Sequence, residues 1–122
     1  MNSIRLRLYS LLILLTVLMP ACHGYVVHPG AYSVAESKVY DAISDAKNVI
    51  DISRPQLASG ALPARFKPAF DKLVDSYNVA FPALKAYHEA LDKGLPADAK
   101  LVQLNAAMAG LTASLTAFRG VK

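Results

Sequence analysis

Apolar residues recur along this chain in three stripes of helical period, and a nearly continuous apolar block stands ahead of them. The first stripe is Val39, Ile43, Ala46 and Ile50, widened by Tyr40 and Val49. It predicts a helix over residues 33–52, opened by a capping box: Ser33 accepts an amide of the first turn and Glu36 reaches back. Residues 53–61 hold Arg54-Pro55 and Ser59-Gly60 and read as a loop.

The second stripe is Phe66, Phe70, Leu73, Tyr77, Ala80, Leu84, Tyr87 and Leu91. Its spacings alternate four and three, the heptad signature. It predicts a helix that starts between Pro63 and Pro68 and ends at Lys93-Gly94. Pro68 and Pro82 share the outermost heptad position. An interior proline removes a backbone hydrogen bond and normally kinks a helix. The stripe nevertheless keeps its phase through Pro82, so one bent helix is expected, with a split at Phe81-Pro82 as the alternative. The third stripe, Leu101, Leu104, Met108, Leu111, Leu115 and Phe118, predicts a helix from about Pro96 to Phe118. Pro96 suits a first helical position and Asp98 the positive end of the helix dipole. Leu-Pro-Ala occurs at 62–64 and again at 95–97, each soon after a glycine, and reads as one loop-to-helix start used twice. Short connections make neighbouring helices antiparallel. The expected fold is all-α, an antiparallel three-helix bundle over residues 33–122.

The apolar block is Leu11–Leu15 and Val17–Met19, preceded by Arg5 and Arg7. It is short for a membrane span and has the layout of an export signal. Leu18-Met19-Pro20-Ala21-Cys22 follows, and it resembles the lipobox of bacterial lipoproteins. That resemblance implies a signal over residues 1–21, lipidation of Cys22, and a tether over residues 22–32. An ordinary secretory signal cut near Gly24, or an uncleaved anchor, are the alternatives. Fully extended, the eleven tether residues reach roughly 35–40 Å. Met19 and Pro20 depart from the commonest lipobox residues.

Composition narrows the function classes. Charged residues are 18% of the chain, and Cys22 is the single cysteine, so disulfide frameworks and cysteine zinc modules are excluded. Without residues 1–21, eleven basic residues face nine acidic ones. Export and the lack of a basic patch interleaved with aromatics argue against a nucleic-acid partner. No catalytic motif stands out, since the acids fall on solvent faces or helix starts, among them Asp71, Asp75 and Asp92. No catalytic residue, metal ligand or cofactor is assigned, and no enzymatic activity is expected. His23 and His28 make two ligands without a third. A His88–Met108 pair of the haem-binding kind lacks a fourth helix and an attachment motif. Tyr77 and Tyr87 read as core residues with their hydroxyls at its edge.

The third helix is unusual. From Leu101 to Phe118 it carries no charge, and Ala106, Gly110, Ala113 and Ala117 form a strip of small residues off the seam. A helix lacking a polar face is normally covered on more than one side. It is the central helix of the bundle, or it offers the strip to a second copy or another protein, or it enters the bilayer.

His28-Pro29-Gly30-Ala31, Glu36-Ser37 and Tyr40-Asp41 together resemble a group of small bacterial lipoproteins with a lipobox and Gly-x-Leu-Pro turns between helices. The likeness covers residues 22–45 best and 60–100 loosely, and it carries no activity with it. It implies a domain in the periplasm held to a membrane by N-terminal lipid. His23, after the cysteine, favours the outer membrane. The expected role is a membrane-tethered helical interaction or structural module of the cell envelope, with an envelope protein or a second copy as partner. The alternative is a small-ligand or metal-binding periplasmic module, for which Tyr77, Tyr87 and His88 would line a pocket.

Overall fold

A computed structural model describes residues 27–122; the expected signal, Cys22 and His23 lie outside the described residues. Among the described residues three α-helices follow one another: α1 (Val34–Ser59), α2 (Lys67–Asp92) and α3 (Asp98–Arg119). A single 3-10 turn, Ala64–Phe66, leads into α2. The fold is the all-α three-helix bundle. Antiparallel pairing shows in the contacts: Ser76 of α2 meets Ser114 of α3, while Phe66 and Phe118 meet edge to face at the far end. The core is Ile43, Ala46 and Ile50 from α1, Phe70, Leu73, Ala80 and Leu84 from α2, and Leu104, Leu111 and Phe118 from α3.

The periodicity of α2 holds through Pro82, and the helix is continuous there. Pro82 is exposed, so the carbonyl it frees at Asn78 has water to turn to. Pro68 lies in the first turn, where a missing N–H costs nothing. The first helix differs from expectation. It does not stop at Ile52 but continues to Ser59 with Pro55 inside it. The reason is the same as at Pro82. Pro55 is exposed, and buried Ser53 and half-buried Leu57 extend the stripe from Ile50 at spacings of three and four. The third helix starts at Asp98, two residues after Pro96, with no side-chain cap at Ala97.

The two Leu-Pro turns are built alike. Gly60 and Gly94 each adopt a positive φ, 77° and 64°, which reverses the chain after a helix. The leucines that follow then donate back: Leu62 N–H to the Gln56 carbonyl at 2.9 Å, Leu95 N–H to that of Ala90 at 2.8 Å.

The centre of the bundle is α2, not α3. It packs along α3 and against α1, whereas α1 and α3 touch each other little. A crevice between those two is lined by Ala42, Met108, Leu111 and Leu115, and Arg119 reaches across to Asp45 at 2.9 Å.

Candidate functional site

Two regions stand out from the rest of the bundle: a polar cluster that fastens the N-terminal segment, and the outer side of α3.

The cluster starts from a turn. Pro29 fixes φ and Gly30 takes φ 87°, so His28–Ala31 closes as a type II turn with Ala31 N–H donating to the His28 carbonyl at 3.0 Å. His28 Nδ1 donates to the Pro29 carbonyl at 2.9 Å, and its ring stacks on Tyr40 with centroids 4.6 Å apart. His28 N–H donates to the hydroxyl of fully buried Ser37 at 2.5 Å. His28, within the expected tether, is therefore bonded to the bundle. Residues 28–32 are held against the end of the bundle by the beginning of α1.

Glu36 joins this turn to α2. Its amide donates to Ser33 Oγ at 3.1 Å, the capping bond expected. Its carboxylate reaches one residue farther back than the usual box, accepting Tyr32 N–H at 2.6 Å. The other oxygen accepts from His88 Nδ1 at 2.6 Å, fifty-two residues along the chain. Glu36 is 3% exposed. A carboxylate that deep survives only with hydrogen bonds to both oxygens, and it has them. His88 lies partly open to solvent and packs against Tyr32 and Tyr40. Tyr32 donates its hydroxyl to Asp92 at 2.7 Å, at the last residue of α2.

Two phenols feel these carboxylates. The Asp92 bond holds the Tyr32 hydroxyl above its ordinary value of 10.0. Burial, then the charge of Glu36, does the same for Tyr40. The polar contacts of the cluster run mainly between the N-terminal segment and the helices, so its chemistry is cohesion. Sequence reading singled out His28, Glu36, Tyr40 and His88 separately. It missed their meeting and missed Asp92 as a partner, because contacts fifty or sixty residues apart leave no periodic trace.

Two of the residues expected to line a ligand pocket have different neighbours. Tyr77 stacks on Phe81 with centroids 5.8 Å apart, while His88 belongs to the N-terminal cluster. Met108 lines the α1–α3 crevice. Among the described residues, no three His, Cys, Asp or Glu side chains converge as metal ligands.

The outer side of α3 carries Ala106, Gly110, Ala113 and Ala117, and all four are exposed. Within the bundle, therefore, the strip is not the buried back of a central helix. Ala106 and Gly110 open onto a groove of about 670 Å³ between α2 and α3. Val79, Ala83 and Ala107 complete its apolar wall, and Asp75, Ser76 and Gln103 supply its polar groups. The Ser76–Ser114 hydrogen bond, 2.6 Å, ties the two helices beside it. By length and composition α3 could cross a membrane. In the bundle its seam residues Leu104, Leu111 and Phe118 are buried against the other helices.

Fold and site together define a three-helix bundle with a fastened N-terminal segment. Compared with known proteins, the chain matches no family model, no curated protein and no solved structure.

Proposed function

We propose that the protein is a membrane-tethered helical module of the bacterial cell envelope, without catalytic activity, that offers the outer side of α3 to a partner. One observation carries this reading. A helix free of charge from Leu101 to Phe118 leaves its small-residue strip exposed and joined to an apolar groove. Small side chains let a second helix approach closely, and the absence of charge removes the desolvation cost that usually opposes contact.

The tether half of the proposal rests on Cys22 at the end of the apolar block. Acyl chains at about 0.8 kcal/mol per buried CH₂ give an anchoring that a nearly neutral domain lacks. The fastening of residues 28–32 then leaves five residues, 23–27, between lipid and bundle, with a reach of about 16–18 Å. The outer membrane, with the bundle in the periplasm, fits His23 beside the cysteine.

Two experiments test the halves separately. Cys22→Ser should leave the signal uncut and abolish palmitate labelling; a processed, membrane-bound variant would sink the lipoprotein reading. A photo-cross-linker at Ala106 or Ala113, activated in cells, should give a discrete adduct whose mass separates a second copy from an envelope protein. No adduct at either position, with adducts forming at Ile52 instead, would refute the α3 surface.

A further inference from the structure

The large apolar side chains that the bundle leaves exposed are not spread evenly. Val27, Tyr32, Val34, Leu95, Leu101 and Val102 all belong to one end. The contacts of the fastening cluster establish that this end is shared: Tyr32 meets Asp92, Glu36 meets His88, and Leu95 lies in the turn from α2 to α3. Leu101 and Val102 are in the first turns of α3. Of the other exposed large apolar residues among those described, Val79 and Phe81 lie midway along α2, and Ile52 lies toward the opposite end.

The chain outside the described residues leaves from this same end. Val27 is the first described residue, and the apolar block 11–19 and Cys22 precede it within a few residues. A membrane anchor in that segment would carry the patch to the lipid surface. The His28 turn fixes the point of exit, so the anchor holds this end toward the membrane and not a flank.

We propose that the bundle seats end-on upon the lipid surface, burying this apolar end, the first turns of α3 included, in the headgroup region while the rest of α3 and its groove stand clear. The proposal rests on the reading of the N-terminal segment as a membrane anchor. Its character is apolar and not electrostatic. Around this end Lys38, Lys85, Lys93 and Lys100 are offset by Glu36, Asp41, Glu89, Asp92 and Asp98. The excess of basic residues lies toward the other end, at Arg54, Arg65, Lys67, Arg119 and Lys122. Attraction to anionic lipid would turn the bundle the other way up. Tyr32, with its ring exposed and its hydroxyl on Asp92, is an amphipathic side chain of the kind that settles at a membrane interface.

The chain has no tryptophan, so a single introduced one reports its own surroundings. Full-length, processed Val102→Trp, Leu95→Trp and Ile52→Trp proteins would be reconstituted into phosphatidylcholine vesicles containing brominated lipid, and flotation measured beside fluorescence. The two near-end reporters should be blue-shifted and quenched at least twofold, equally in low and high salt, with Ile52→Trp unquenched. Adding Val34→Glu to Val102→Trp should reduce that quenching, with flotation and helical content unchanged. If the proteins float but all three reporters stay unquenched, or quench alike, the seating is wrong and the tether stands. A blue shift that follows protein density without lipid quenching assigns the patch to a second copy and overturns the proposal. If the proteins do not float, the anchor reading fails and the seating falls with it.

Discussion

Glu36 shows how much one buried carboxylate can organise. Its amide donates to the Ser33 cap, and its carboxylate holds Tyr32 and binds His88, with each oxygen satisfied. Removing one partner leaves a buried acceptor short of a bond, which costs about 1–3 kcal/mol. His88→Ala should therefore lower stability by that amount in urea denaturation, and His88→Gln, which keeps a donor, should lose less. Equal stability of His88→Ala and the parent would show the cluster to be slack. The alkaline limb is a second test. Tyr32 and Tyr40 hold their protons more tightly folded than unfolded, Tyr32 through Asp92 and Tyr40 chiefly through burial. Such a phenol contributes stability that is complete below the unfolded value of 10.0 and is lost as pH rises through the raised folded value. Tyr40→Phe should flatten the fall in stability above that pH, measured by denaturant midpoints across an alkaline series. Identical alkaline limbs in parent and variant would exclude Tyr40 as a contributor.

At the scale of the element, both interior prolines sit on water. Pro82→Ala should be neutral or stabilising, by up to about 3 kcal/mol on helix propensity alone. Leu84→Ala, two residues on and fully buried, should cost about 2–5 kcal/mol. The same logic now covers Pro55: its replacement by Ala should leave α1 intact and raise or preserve the melting temperature. A fall in melting temperature matching that of Leu84→Ala would mean that the proline itself is needed. These prolines also mark what could be read from the sequence. The stripe of α2 is long enough on both sides of Pro82 to show that its phase continues. Beyond Pro55 only Leu57 carries the stripe, and Ser53, a polar residue, holds the buried position before it. An apolar pattern cannot signal a buried serine, so in sequence the last turns of α1 look like loop. The order of packing was hidden for a related reason. A charge-free α3 resembles a central helix in sequence, whereas α2, with charges along its outer side, is the one that touches both neighbours.

At the scale of the molecule, the exposure of the α3 strip turns a question about folding into one about association. A Cβ placed on Gly110 meets nothing within 4 Å. Gly110→Lys and Ala113→Glu should therefore keep the parent's circular dichroism and change its melting by no more than about 1 kcal/mol of stability, near the ±0.5 kcal/mol usual for surface changes. Both should abolish the cross-link from Ala106. Unfolded variants would mean that the strip is internal after all. The fastening cluster has a further consequence, for how the molecule bears load. A pull on the N-terminal segment does not have to peel α1 from the bundle turn by turn. Through Tyr32–Asp92 and Glu36–His88 it enters the C-terminal end of α2 directly, and from there it passes into the long α2–α3 contact. Beyond the first turn of α1, the thinner α1–α2 seam is bypassed. A bundle pulled between an anchor at residue 27 and a partner on α3 is strained along its best-packed pair of helices, and α1 acts as the clip that keeps the line of force there.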